Sequence, residues 1–396
     1  MSMSATVGLM RNINRSAILE LIRKESPITR SKIARCLNVS FPTVVRIVDD
    51  LMEEGLIKSS DAYEESTGGR PPELLEFNGQ AHAVVGIDLS GTKILGAVSD
   101  LSGNIQEERQ IAHKEGASPE YHLAHLCEVI DALLASPRPA DQEVRGIGVG
   151  APGVTLVPNG VVTWAPSFGW RDLPLQDILN ERFDVPVFVE NDVNLAALGE
   201  LGFGCDHRVT NLVSIAVGTG IGAGIIIDGA LYRGHNQGAG EVCYMLPGVE
   251  FLGRRYDEFG ALESLASVTG IVKRAKEICA LEEANGVENI TVEDVFEAAR
   301  EGVPWAQKVI DDTVDYLSLA IVNISTTLDP EIIILGGEVT GSSDLLIEAI
   351  RQRLEGIVPF VPQVVASSLG PRAVVMGAIM LVLNMTTDYF TIRQLP

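Results

Sequence analysis

Three glycine-rich turns, each of which directly follows an apolar run, constrain the fold of this chain more than any other feature. The turns comprise residues 88–93, 218–224 and 336–338. Glycines at the end of a strand let backbone N–H groups approach a phosphate without an intervening side chain. A single turn of this kind is common, and none of the three has the spacing of a Walker A loop or a dinucleotide fingerprint. Three of them in this order predict phosphate-binding loops.

Particular side chains in these turns suit particular parts of a nucleotide. Asp88 could hold Mg²⁺ through water, while Thr92 and Lys93 offer a hydroxyl and a cation to a terminal phosphate. The candidate phosphate-binding residues are Asp88, Gly91, Thr92, Lys93, Gly218, Thr219, Gly220, Gly222, Gly336 and Gly337.

After Asn78, apolar runs alternate with helical patterns. The runs lie at 84–88, 94–98, 147–149, 187–189, 212–217, 224–227 and 332–335. The helical patterns lie at 122–135, 195–201, 262–279, 292–300 and 306–328. This alternation is typical of an α/β protein, and short turns near 94–105 and 217–230 indicate that the sheets are mixed.

The first eighty residues predict a winged helix-turn-helix. Apolar positions repeat at helical spacing in three stretches, which end at Pro27, at residues 38–39 and at Gly55. Thr29 and Ser40 stand where the N-caps of the second and third helices are expected. A strand, a polar loop and a second strand follow and would form the wing. A plain helical bundle is the alternative, and the wing argues against it.

The charge distribution supports DNA binding by this first segment. Residues 11–48 contain eight basic and two acidic side chains, whereas the whole chain has a net charge of −23. In a winged helix-turn-helix the third helix enters the major groove, and a wing arginine can enter a narrow minor groove. The candidate DNA-binding residues are Ser40, Pro42, Thr43, Arg46, Gly69, Arg70 and Pro71. Alternatively, the wing is an exposed loop in which Arg70 has no role.

Two pairs of polar residues are candidates for binding a substrate. Asn191 and Asp192 follow an apolar run, and an acid there can take a proton from an attacking hydroxyl. The alternative is a helix N-cap, which Asn and Asp serve well. Glu241 and Glu263 form the second pair, because paired carboxylates grip adjacent sugar hydroxyls. Alternatively, Glu263 is a solvated residue in the first turn of its helix.

The five cysteines favour a reducing compartment. No two of them lie closer than 36 residues, so CxxC metal pairs are absent and a disulfide framework is not expected. The chain begins with polar and basic residues rather than a signal peptide. The uncharged stretch 212–227 contains four glycines and is short for a membrane span, and the apolar stretch 374–385 suits a core helix. We therefore expect a cytoplasmic protein without membrane insertion.

Taken together, these motifs resemble the ROK family, whose name combines repressors, open reading frames and kinases. The motifs at 68–71, 88–93, 190–194, 218–224, 240–241, 262–263 and 334–337 occur in the family's order, over essentially the whole chain. The chain is most similar to the sugar-responsive repressors, in which a winged helix precedes a kinase-like body. The resemblance implies an actin-like, hexokinase-like ATPase fold. Its expected domains are 1–80, a first lobe of 83–192 plus 376–396, and a second lobe of 193–375.

The resemblance also implies a sugar between the lobes and a nucleotide, if one binds, at the glycine turns. The sugar would lie near Asn191, Asp192, Glu241 and Glu263. Many members carry zinc, through a histidine three residues after the Gly-Glu pair and three cysteines beyond it. Here Tyr244 replaces that histidine, and the cysteine positions hold Arg254, Tyr256 and Ala261. We therefore expect no zinc or other metal site, and Tyr244 becomes a candidate sugar contact.

Three functions are compatible with these patterns. The leading hypothesis is a DNA-binding regulator, a repressor by resemblance, with a sugar or sugar phosphate as effector and no required cofactor. It would bind a palindromic operator as a homodimer or homotetramer. The alternative is an ATP- and Mg²⁺-dependent hexose kinase with Asp192 as base and a DNA-binding head. A third is a regulator sequestered by a transport component.

Overall fold

A computed structural model describes residues 3–60, 73–91, 93–112, 114, 117–139, 142–157, 159–206, 208–255, 260–281 and 289–386. For residues 3–10 and for Leu281 it describes the backbone alone.

The N-terminal head is a winged helix-turn-helix, as predicted. Its elements are α1 (Met3–Glu25), β1 (Ile28–Thr29), α2 (Arg30–Leu37), α3 (Phe41–Glu53), β2 (Ile57–Ser59) and β3 (Leu74–Phe77). The strands form an antiparallel sheet in the order β1-β3-β2. The sequence did not predict β1, because two residues are too few to show a pattern. The tip of the wing, with Gly69, Arg70 and Pro71, lies outside the described residues.

Local side-chain chemistry explains where the head's helices begin and end. The Thr29 hydroxyl accepts a hydrogen bond from the Lys32 N–H at 3.2 Å and caps α2, as predicted. Gly55 follows α3 with φ +75°, a conformation that favours glycine. Ser40 is the N-cap residue of α3, as expected, but its side chain makes no capping hydrogen bond. Its hydroxyl instead bonds the Thr43 hydroxyl at 2.7 Å, and Pro42, in the first turn, has no N–H to donate.

A mixed sheet dominates residues 82–191. The elements are β4 (His82–Leu89), β5 (Lys93–Asp100), β6 (Ile105–Ala112), α4 (Pro119–Leu134), β7 (Glu143–Ala151), β8 (Val154–Leu156), β9 (Val161–Ala165), β10 (Trp170–Leu173), α5 (Leu175–Arg182), β11 (Val187–Asn191) and α6 (Asp192–Gly199). The sheet order is β11-β7-β4-β5-β6, with β11, β7 and β4 parallel. β8, β9 and β10 form a small antiparallel sheet.

A second mixed sheet follows. The elements are β12 (Leu212–Val217), β13 (Ile221–Ile227), β14 (Ala230–Leu231), α7 (Glu263–Ala266), α8 (Val268–Leu281), α9 (Val292–Arg300), α10 (Pro304–Leu328), β15 (Ile332–Gly336), α11 (Ser343–Leu354), β16 (Gln363–Ala366) and α12 (Ala373–Thr386). The order is β14-β13-β12-β15-β16, and β15 is parallel to both β12 and β16. The α/β prediction is therefore confirmed. The division into lobes at residue 192 stays a prediction, although it separates the strands of these sheets.

Several boundaries differ from the sequence-based expectation. The helix predicted at 262–279 is two helices, which break at Ser267. The helix predicted at 195–201 begins at Asp192 and ends in a π-helical turn, Glu200–Gly204. The second glycine turn comprises only residues 218–220, because Gly222 and Gly224 pair with β12 inside β13. In the described part of the chain, no helix combines the length and apolar character needed to cross a membrane.

Helix α12 connects the parts of the molecule. It lies on β4 and β7 of the first sheet and against α6. The contact with α6 is so close that a Cβ at Gly377 would lie 1.7 Å from the Leu195 carbonyl oxygen. Helix α6 in turn packs on β13 of the second sheet. Because Asp192 is the first residue of α6, this packing fixes the position of its carboxylate between the two sheets.

The head and the first sheet share a hydrophobic core. One continuous apolar cluster contains Ile47 and Leu75 from the head, Val84 and Leu95 from the first sheet, and Ile379 from α12. All five side chains are almost fully buried. Close-packed interiors transmit displacements instead of absorbing them. This apolar cluster therefore connects the head with the first sheet and with α12.

We expect Gly377→Ala to lower the free energy of unfolding by about 1–3 kcal/mol, because the added methyl group overlaps backbone that cannot move freely. The loss should appear even though alanine is the better helix former by about 1 kcal/mol. Urea denaturation of the full chain measures it. The control is Gly341→Ala, where a Cβ meets nothing within 4 Å. Equal stability of the two variants would contradict the packing described above.

Candidate functional site

A cavity of about 430 Å³ lies between the two sheets. Its walls are the carboxyl ends of β4, β7 and β11 on one side and the ends of β12 and β15, with the start of β13, on the other. This size suits a small ligand. The predicted sugar-binding residues Asn191, Asp192, Glu241 and Glu263 all line it. The structure therefore brings together residues that lie up to 72 positions apart in the sequence.

The predicted phosphate-binding residues line the same cavity. The first turn contributes Asp88, Gly91 and Lys93, while Thr92 lies outside the described residues. The other turns contribute Gly218, Thr219, Gly220, Gly222, Gly336 and Gly337. Glu338, which the sequence analysis treated only as the end of the third turn, is also part of the wall. We call the part of the cavity bounded by residues 218–220 and 336–338 its phosphate end.

Asn191 and Asp192 have different roles. The Asn191 Oδ1 accepts a hydrogen bond from the Asn194 N–H at 3.0 Å, so Asn191 is the N-cap of α6, as its alternative interpretation predicted. Its Nδ2 donates to the Gly153 carbonyl at 2.9 Å and to the Asp192 Oδ1 at 3.0 Å. These bonds orient the Asp192 carboxyl in the cavity wall.

Burial sets the protonation of the two aspartates. The pKa of Asp192 is raised to about 7, chiefly by desolvation and also by the charge of Glu241. The Val193 N–H, which donates to the Asp192 Oδ1 at 2.8 Å, opposes this shift. Desolvation and the charge of Asp192 raise the pKa of Asp88 to about 7, and Lys93 opposes this shift. Each carboxyl is therefore poised to exchange a proton near neutral pH.

Glu241 and Glu263 form a second acidic pair, around a cysteine. The Glu263 Oε2 accepts a hydrogen bond from the Ile221 N–H at 2.8 Å, and the Glu241 Oε2 accepts one from the Cys243 Sγ at 3.6 Å. Burial raises the pKa of both glutamates and raises the pKa of Cys243 to about 12. Cys243 is thus an uncharged thiol in the cavity wall. The sequence analysis missed it because it considered cysteines only as metal or disulfide pairs.

Tyr244 does not join the other sugar candidates. The 3-10 turn Val242–Tyr244 turns Cys243 toward the cavity and leaves the Tyr244 side chain 60% exposed. Tyr244 is not among the described residues that line the cavity. A contact between its ring and a sugar stays a prediction.

An ion pair that the sequence did not predict joins the two sides of the site. Glu190, at the end of β11, is 1% exposed, and its Oε2 accepts a hydrogen bond from the Arg233 Nε at 2.7 Å. Its Oε1 accepts hydrogen bonds from the Asn191 N–H at 2.9 Å and the Asn194 Nδ2 at 3.0 Å. Arg233 follows β14 of the second sheet, so the pair bridges both sheets next to the cavity. The sequence signal that could have identified Glu190 as a site residue was an acidic side chain near the end of an apolar strand.

No metal centre is built by the described residues, in which no three His, Cys, Asp or Glu side chains cluster to hold an ion. At the zinc positions suggested by the resemblance, Arg254 is exposed, Ala261 is buried in the core, and Tyr256 lies outside the described part. His122 and His125 on α4 pack against aromatic rings. The ring centroids of His125 and Tyr121 are 4.0 Å apart, and those of His122 and Phe168 are 4.7 Å apart.

The candidate DNA interface is the outer face of α3. Ser40, Pro42 and Arg46 are exposed and Thr43 is half-buried. Phe41, which the sequence analysis did not consider, is 51% exposed at the start of the helix. A large apolar residue at the first position of the predicted recognition helix was the sequence signal that could have identified Phe41 as a candidate contact.

The basic character of the head is smaller than the sequence count suggested. Arg30 pairs with Asp49 and Glu73, Arg11 pairs with Asp50, and other basic side chains have similar partners. Arg46 makes no ion pair with any described residue. Much of the head's positive charge is therefore used within the head, and Arg46 is the side chain of α3 best able to contact DNA.

Comparison with known proteins identifies the class. The ROK family model matches residues 84–385, and the MarR family model matches residues 12–62. The chain belongs to the ROK family. It therefore combines a MarR-type winged helix with an actin-like, hexokinase-like body, as the resemblance implied.

Individual relatives include both regulators and kinases. The chain is 30% identical over 387 residues to the xylose repressor of Caldicellulosiruptor bescii, covering 95% of this chain and 96% of that one. It is 34% identical over 281 residues to a glucokinase of Halalkalibacterium halodurans, covering 68% and 84%. The crystal structure of a ROK family transcriptional regulator, a homologue of the E. coli MLC protein, superposes with a TM-score of 0.83 at 25% identity, covering 97% and 99%.

The raised pKa of Asp192 predicts how stability depends on pH. The group titrates near 3.8 when unfolded and near 7 when folded, so its stabilising contribution is complete below about pH 4 and is lost as pH rises through 7. Between pH 5.5 and 8.5 we expect the wild type to lose about 1–2 kcal/mol more than Asp192→Asn, after allowance for solvent in the cavity.

Urea denaturation at the two pH values measures this difference. Asp177→Asn, a change at an exposed position in the first turn of α5, is the control and should retain the wild-type pH dependence. An Asp192→Asn profile parallel to that of the wild type would show that Asp192 is ionised in the folded protein at both pH values.

Proposed function

We propose that this chain is a transcriptional repressor that binds DNA through its winged helix and releases it when a sugar fills the central cavity. The observation that carries the proposal is that one helix, α12, contributes both to the apolar cluster of the DNA-reading head and, through Ala373 and Val374, to the wall of the carboxylate-lined cavity. The similarity to a xylose repressor over 95% of this chain supports the same conclusion.

The chemistry of the cavity favours a polyhydroxylated ligand. Asp192, Glu241 and Glu263 supply carboxylate oxygens, which accept hydrogen bonds from neighbouring hydroxyl groups. Each carboxylate has more acceptor sites than the donors that the protein supplies to it, and a sugar supplies several further donors within one small ring. An aldose such as xylose or glucose is the ligand class that we propose.

Signal transfer from cavity to head would use the elements that both share. Strand β4 begins at His82 beside the head and ends near Asp88 in the cavity wall. Sugar binding would change the angle between the two sheets, and the shared core would pass that change to the head. We propose a homodimer or homotetramer on a palindromic operator in the cytoplasm, without zinc or another required cofactor.

The direct test is fluorescence anisotropy of labelled DNA from the region upstream of the gene, with and without a panel of aldoses. We expect specific binding at low salt and at least tenfold weaker binding with one aldose. A DNA affinity that no sugar changes would contradict the proposal.

Arg46→Ala should weaken operator binding about 5- to 150-fold, because an arginine contact to a base or phosphate contributes about 1–3 kcal/mol. Arg208→Ala is the matched control, since Arg208 is 90% exposed on the body and far along the chain from the head. The same anisotropy titration measures both variants. An unchanged affinity of Arg46→Ala would remove α3 from the interface.

Sugar phosphorylation is a second candidate function, favoured by one observation. Asp192 lies in the cavity wall with its pKa raised to about 7, which suits a group that accepts a proton from a sugar hydroxyl. ADP release from ATP in the presence of each aldose tests this candidate, and Asp192→Asn should abolish any activity found. Activity that persists in Asp192→Asn would show that Asp192 is not the base.

A further inference from the structure

The phosphate end of the cavity already holds acceptors of its own. In the turn of residues 218–220 and at its exit, the Thr219 N–H donates to the Glu338 Oε1 at 3.3 Å, and the Ile221 N–H donates to the Glu263 Oε2 at 2.8 Å. The Gly218 N–H is used within the turn, where it donates to the Gly220 carbonyl at 2.9 Å. Two backbone donors of the second glycine turn and its exit are therefore bound to carboxylates of the same chain, and a third is bound to a carbonyl within the turn.

The position of Glu338 follows from the backbone before it. Gly337 has φ +84°, and a Cβ there would lie 2.4 Å from the Val217 carbonyl oxygen. This close approach joins the third glycine turn to the end of β12 and brings the Glu338 carboxylate over the second turn. A Cβ added to Gly218 would lie 3.1 Å from the Glu338 Oε1, which shows how closely the carboxylate covers this turn.

The negative charge of the cavity also disfavours a bound phosphate. Its described lining contains five carboxylates, and Lys93 is the only cation in that described lining. The carboxylates belong to Asp88, Asp192, Glu241, Glu263 and Glu338. A phosphate at this end would have to displace Glu338 from the Thr219 N–H and would lie beside its negative charge.

We propose that Glu338 excludes phosphate groups from the cavity, so that the effector is an unphosphorylated sugar. The statement about the effector rests on the proposed function, whereas the exclusion of phosphate does not. A nucleotide and a sugar phosphate share the chemistry that is excluded. The residues of the phosphate end thus do not fit a bound nucleotide as they stand, which opposes kinase activity.

Isothermal titration calorimetry of the full chain tests the proposal. The probes are glucose, glucose 6-phosphate, inorganic phosphate and the Mg²⁺ complex of a non-hydrolysable ATP analogue. We expect Glu338→Gly to raise the affinity for inorganic phosphate at least tenfold. The ratio of affinities for glucose 6-phosphate and glucose should rise at least tenfold as well. Glucose 6-phosphate and the ATP analogue show separately which source of phosphate the wild type excludes.

Two further variants separate the possible causes. Glu338→Gln keeps an acceptor for the Thr219 N–H but removes the negative charge. A gain in phosphate affinity smaller than that of Glu338→Gly would show that charge accounts for part of the exclusion. Glu355→Gln removes one charge from an exposed position after α11 and should behave as the wild type. Thermal melting confirms that each variant is folded.

Two results would overturn the proposal. The first is a wild type that binds inorganic phosphate or the ATP analogue as tightly as Glu338→Gly. The second is a folded Glu338→Gly variant whose affinity for every phosphate-containing probe equals that of the wild type. Failure of glucose and of every other aldose in the anisotropy panel to bind the wild type would instead refute the proposed function. The affinity of each Glu338 variant for inorganic phosphate is measured independently of any sugar.

Discussion

The close contact between helices α6 and α12 determines the geometry of the whole body. The two backbones approach so closely at Gly377 and Leu195 that no side chain fits between them. This contact holds α6 against both sheets, and residues 192–194 and Ala196 at its start line the cavity. Helix α12 also belongs to the apolar cluster that includes the core of the DNA-binding head. Helix α12 thus contacts α6, which carries Asp192, and also belongs to the apolar cluster into which the recognition helix α3 packs.

The acidic residues of the cavity create a second constraint. Burying several carboxylates together raises the pKa of Asp88 and Asp192 to about 7, so part of their charge is removed by protonation. A neutral ligand with many hydroxyl groups satisfies such a site better than an anion does. The proposed aldose effector and the proposed exclusion of phosphate by Glu338 both follow from this preference for a neutral ligand. It also explains how glycine turns typical of kinases can line a site that serves regulation.

Much of this architecture was predictable from local patterns in the sequence. The helix-turn-helix, the strands that carry Asp88 and Asn191 near their carboxyl ends, and the candidate residues Asp192, Glu241 and Glu263 were all predicted from short motifs. What the sequence could not show were contacts made by side chains whose partners lie far away in the chain. The Glu190–Arg233 pair spans 43 positions, and the bond from the Thr219 N–H to Glu338 spans 119. Tyr244 is a different case, since the family resemblance made it a candidate sugar contact, whereas one 3-10 turn leaves its ring exposed and the contact stays a prediction.

The central claim is that one equilibrium links the cavity to the head. Linkage requires that the sugar weaken DNA binding by the same factor by which DNA weakens sugar binding. The most direct measurement is therefore the dissociation constant of the effective aldose, determined by calorimetry with the free protein and again with the operator complex. We expect the complex to bind the sugar at least tenfold more weakly than the free protein does, by a factor equal to the loss of DNA affinity. Equal sugar affinities in the two states would contradict it.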